Sequence, residues 1–69
     1  MIEFKLTEEY IQLNNLLKAL SLVGSGGEAK LLIKEGLVLV NGEVEFQIRK
    51  KLRAGDKIDF DEEKITIVA

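Results

Sequence analysis

A chain of 69 residues has room for one small core, and having neither cysteine nor histidine it lacks disulfides, thiolate metal sites and the commonest general base. Ten bases against twelve acids give a net charge of -2, and an apolar fraction of 46% is that of a folded globular domain. The longest uncharged run, Ala19 to Gly27, is too short and too glycine-rich to span a bilayer, and Met1 leads into Glu3 without a basic start or an apolar h-region. A single domain over residues 1–69, located in the cytoplasm and away from membranes, is the expectation.

In chain order, residues 2–6 alternate apolar and charged and suit an edge strand. Thr7, followed by Glu8 and Glu9, has the form of an N-cap with acids in the first turn, which predicts a helix from that point. Tyr10, Leu13, Leu16, Leu17 and Leu20 then recur at spacings of three and four and share one helical face. Val23-Gly24 interrupts the pattern. Ser25, with Glu28 three residues on, is a capping-box signature for a second helix, with Ala29, Leu32 and Ile33 inward and Leu31 at the edge of the core. Gly36 stands where a left-handed C-terminal cap is wanted.

After Gly36 the period becomes that of a strand. Leu37 to Val40 is a short apolar run, and Asn41-Gly42 is the strongest short-range signal for a two-residue hairpin, because both central positions need positive φ. Residues Glu43 to Phe46 should return antiparallel to it, and Gln47 to Leu52 reads as a base-rich crossing loop. Ala54-Gly55-Asp56 turns into Lys57 to Phe60, Asp61-Glu62-Glu63 turns again, and Lys64 to Val68 alternates as the last strand. Together these give an α+β fold: two N-terminal helices packed on a small, mostly antiparallel bent sheet.

Several chemistries fail on context. Gly24-x-Gly26-x-x-Ala29 fits a loose dinucleotide pattern, but that fingerprint follows a parallel strand in a βαβ unit, and here a helix precedes it. A Walker loop fails because Lys30 lies between Ala29 and Leu31. Asp59, Asp61, Glu62 and Glu63 lack the ligand spacing of a calcium loop and read as a solvated turn. Serine occurs only at 21 and 25, and without histidine no nucleophilic triad forms. The reading is non-enzymatic and calls for no catalytic residue, cofactor or metal.

Charge distribution carries more than the sum. From Lys30 to Lys57 seven bases stand against four acids, whereas residues 1–29 contribute -2 and residues 58–69 contribute -3. Lys30 and Lys34 share one helical face. If the segment holding Arg49, Lys50, Lys51 and Arg53 folds beside that helix, the two sets form one cationic patch able to track a phosphate backbone. Gly26 and Gly27 leave the first amides of the helix open to a phosphate. Phe4, Tyr10, Phe46 and Phe60 all fall at positions the pattern turns inward, so recognition by backbone and shape is expected rather than base stacking.

The run SGGEAKLLIKEGLVLVNG, followed by RKKLRAGDKI, resembles the S4 RNA-binding domain, and within it the short stand-alone bacterial proteins of the YaaA and YbcJ type. The likeness extends from about Tyr10 to Phe60. It implies the S4, or αL-like, fold and binding of structured RNA, ribosomal or tRNA-like. Carried across by position, Ser25, Lys30 and Lys34 belong to the RNA-binding second helix and Arg49, Lys50, Lys51 and Arg53 to the loop, and with the open amides of Gly26 and Gly27 they make up the candidate RNA-binding set. Many S4 domains have arginine directly after the serine, where this chain has Gly26. The alternative is a protein-interaction adaptor reusing the scaffold and docking on a ribosomal or replication-associated protein, with an exposed apolar patch as its signature.

Overall fold

The computed structural model describes residues 1–69. Strand β1 (Ile2–Lys5) opens the chain, and β2 (Ile11–Gln12) runs directly into helix α1 (Leu13–Ala19). Helix α2 (Gly26–Lys34) leads into the hairpin of β3 (Val38–Val40) and β4 (Glu43–Val44). Strands β5 (Lys51–Leu52), β6 (Lys57–Phe60) and β7 (Glu63–Val68) complete the order. Five strands form one sheet in the order β1-β7-β6-β3-β4, in which only the β1–β7 pair is parallel. The remaining two, β2 and β5, pair as a separate antiparallel ribbon.

Alternation sorts the sheet into two faces. Val38, Val40, Ile58, Ile65 and Ile67 are buried on the inner face, where they meet Leu13, Leu16 and Leu17 of α1 and Ala29 and Ile33 of α2 in one core. Burying each large aliphatic side chain contributes about 1.5–3 kcal/mol before ordering costs. Leu32 and Phe60 pack partly buried against it. The outer face carries Lys57, Asp59, Lys64 and Thr66, which oppose one another across β6 and β7.

Local chemistry sets most of the ends. Ser25 has extended backbone, and its Oγ accepts the Glu28 N–H at 3.2 Å, so the expected cap of α2 is present. Gly36, at φ +78°, closes the same helix with Leu37 N–H donating to Leu32 C=O (3.2 Å) and Gly36 N–H to Ile33 C=O (3.1 Å), the bond pattern of a Schellman cap. The same pattern ends α1, with Leu22 N–H on Leu17 C=O and Ser21 N–H on Lys18 C=O (both 3.0 Å), but here a serine occupies the left-handed position at φ +57°. Asn41 and Gly42 both have positive φ (53° and 85°), and Val40 pairs with Glu43 across them.

The first helix departs from the sequence reading. It begins at Leu13, not after Thr7, and Thr7 to Glu9 form bends. The reason is non-local: Ile11 pairs with Leu52 and Gln12 with Lys51, so this stretch is held extended. The first amides of α1 are satisfied by the loop between β4 and β5, Leu13 N–H donating to Lys50 C=O (2.9 Å) and Asn14 N–H to Ile48 C=O (3.1 Å). Backbone carbonyls thus do the capping that the Thr7 hydroxyl was expected to do.

Candidate nucleic-acid interface

The same two hydrogen bonds fix the base-rich loop against the helices. With the carbonyls of Ile48 and Lys50 turned onto α1, Arg49 between them comes to the N-terminus of α2. Asn14, Gly26, Gly27, Lys30, Ile48 and Arg49 line one open depression of about 410 Å³. Glycine at 26 and 27 leaves the first amides of α2 uncovered, and the partial positive charge of a nine-residue helix is directed there. Lys30 adds a full charge one turn further along.

Lys18 is the member the sequence reading missed. Its Nζ stands 3.9 Å, and its Cδ 3.8 Å, from the point a side chain on Gly26 would first occupy. An amine from α1 therefore fills the neighbourhood in which many S4 domains have their arginine. Lys18 precedes α2 by a left-handed turn at Ser21, so no helical spacing links the two positions; the extra lysine on an otherwise apolar helix end was the one available signal.

The remaining expected residues do not all converge. Ser25 engages its Oγ in capping Glu28. Lys34 is exposed near the C-terminal end of α2, outside the depression. Lys50 is half-buried and donates its N–H to Gln47 C=O. Lys51 and Arg53 gather instead over the Tyr10 ring, 4.9 Å and 5.8 Å from its centroid, beside the β2–β5 ribbon. Such cation–π placement holds the two bases over an aromatic face. The segment from 47 to 53 thus supplies two cationic groupings, one at α2 and one at Tyr10.

Asn14 lines the depression, but its Oδ1 is buried away from it and has no hydrogen-bond partner within the chain. No aromatic side chain lines the depression, which fits the expectation of recognition without stacking there. Phe46, however, is not inward. It is 62% exposed, and Leu31 is 57% exposed. The hairpin register is the cause for Phe46: pairing Val40 with Glu43 sets Val44 opposite Leu39 on the outer face, and Phe46 follows Val44 by two.

Fold and loop geometry together define an S4 domain, a helix pair on a mixed sheet with a basic loop tied to the start of the first helix beside the N-terminus of the second. The S4 domain family matches residues 4–68, and the chain belongs to it. Among its relatives is YbcJ of Escherichia coli K12, described as "Putative RNA-binding protein", 38% identical over 60 residues that make up 87% of this chain and 86% of that one. YbcJ of Shigella flexneri matches to the same extent. The solution structure of the Escherichia coli protein, described as revealing an αL motif involved in RNA binding, superposes with a TM-score of 0.76 at 37% identity, covering all of this chain and 89% of that one.

Proposed function

We propose that this protein is a non-enzymatic cytoplasmic RNA-binding module that holds the phosphate backbone of a structured RNA, ribosomal or tRNA-like, at the N-terminus of α2. The observation that carries the reading is the convergence of Gly26, Gly27, Lys30 and Arg49 on one depression, with the Lys18 amine beside it. Open amides and cations from three segments suit a phosphate at short range. Lys51 and Arg53 over Tyr10, with Lys50, extend the contact along the backbone, Ser25 serves by holding the helix end in shape, and Lys34, at the far end of α2, stands outside the contact.

Overall acidity is compatible with this role because no acid lines the depression, Glu28 in the first turn of α2 being the nearest in sequence. Crosslinking the protein to cellular RNA and sequencing the recovered RNA tests the reading. Enrichment of structured RNA that a Lys30→Glu/Arg49→Glu variant loses is expected, and recovery of no RNA above background would overturn it.

A further inference from the structure

The opposite end of α2 carries a surface of different chemistry. Leu37, Val44 and Phe46 are 47%, 46% and 62% exposed. They lie together: a side chain on Gly36 would meet the Phe46 ring at 3.3 Å and Val44 Cγ1 at 3.5 Å, and Leu39, paired with Val44, stands two residues from Leu37 on the same face. Three large apolar groups left open on one face of so small a domain mark an interaction site rather than scattered exposure.

β4 also ends the sheet, so one side of its backbone has no neighbouring strand. Antiparallel amides alternate between the two edges of a strand. Glu45 N–H donates inward to Val38 C=O at 3.0 Å, and the amides of Val44 and Phe46 therefore face the open edge.

We propose that this β3–β4 face is a second docking surface, which takes a protein segment carrying apolar and basic side chains. Acids rim this edge of the sheet: Glu43 and Glu45 alternate with Val44 and Phe46 and so project from the other face of the same strand, Glu35 adjoins Gly36, and Asp59 is the cross-strand partner of Leu39 on the apolar face. Lys34 and Arg49 are the nearest cations in sequence, three residues from Leu37 and Phe46 respectively, and Lys64 lies beyond Asp59. Such a rim repels phosphate, which sets the face apart from the depression at the other end of the helix. It equally disfavours a second copy of the chain, because edge-to-edge pairing of β4 with itself brings Glu43 and Glu45 toward like charges. A lysine- or arginine-bearing strand seated along β4 meets the acids and covers Phe46. The two surfaces are separated by the length of α2, about 13 Å for nine residues, so RNA and protein engage without competing.

The test uses the full chain, isotopically labelled, and a synthetic octapeptide alternating valine or phenylalanine with lysine or arginine. Its counterpart has glutamate at every basic position. Amide shifts confined to residues 37–46 on adding the basic peptide are expected, with affinity lowered about tenfold by Phe46→Ala and unchanged by Lys30→Glu/Arg49→Glu. Phe46 is exposed, so its replacement keeps the fold, and the amide spectrum reports that directly. Any of four results overturns the proposal: no shift with the basic peptide, equal binding of the acidic one, shifts at 37–46 on adding an RNA hairpin, or self-association that Phe46→Ala abolishes.

Discussion

Asn41 Nδ2 donates to Asp56 Oδ1 at 3.1 Å, tying the β3–β4 hairpin to the turn before β6. The same two side chains complete the junction: Asn41 Oδ1 accepts the Lys57 N–H at 2.9 Å, and Asp56 Oδ2 accepts the Arg53 N–H at 2.8 Å. The Asn-Gly and Gly-Asp elements, by which the chain is most easily recognised, are therefore two halves of one brace. Asp56→Ala removes two hydrogen bonds and is expected to lower stability by about 1–2 kcal/mol. Urea denaturation measures this.

The two helix ends predict opposite responses at their left-handed positions. Ser21→Gly relieves a serine held at φ +57° and should stabilise by about 1 kcal/mol, a rise in Tm of roughly 4–8 °C for a domain of this size. Gly36→Ala places a Cβ 3.3 Å from the Phe46 ring at φ +78° and should destabilise by at least about 1 kcal/mol. Thermal unfolding of the two variants side by side checks both signs.

Much of this fold was legible because its determinants are local. The Ser25 cap, the Gly36 cap, the Asn41-Gly42 hairpin and the alternation of Ile65 and Ile67 each depend on residues within a few positions, and each stands where expected. The start of α1 was not legible. Thr7-Glu8-Glu9 satisfies every local requirement of a helix start, but Ile11 and Gln12 are claimed by Leu52 and Lys51, forty residues away, and no local pattern records that competition. Phe46 was a missed inference rather than a hidden one, since a two-residue Asn41-Gly42 loop fixes Val40 opposite Glu43 and places Phe46 outward by parity. The site divides similarly. Lys30 and Arg49 were readable as bases and meet because carbonyls of 48 and 50 cap α1, whereas Lys51 and Arg53 are drawn to Tyr10.

Lys18 follows from placement alone. Its amine beside Gly26 predicts that Lys18→Ala weakens RNA binding about threefold to tenfold and lowers the salt dependence by about one phosphate contact. The side chain is exposed, so stability should change little. Fluorescence anisotropy with a labelled RNA hairpin at several salt concentrations reads both effects.

The central claim is that the N-terminus of α2, with Lys30 and Arg49, holds the RNA backbone. Its most direct measurement is the salt-dependent affinity for a structured RNA hairpin of the parent chain and of Lys30→Glu/Arg49→Glu, each shown to be folded by its amide spectrum. The account predicts at least about a tenfold loss of affinity and a slope of log K against log salt shallower by about 1.5. Unchanged affinity and slope in the folded double variant would contradict it.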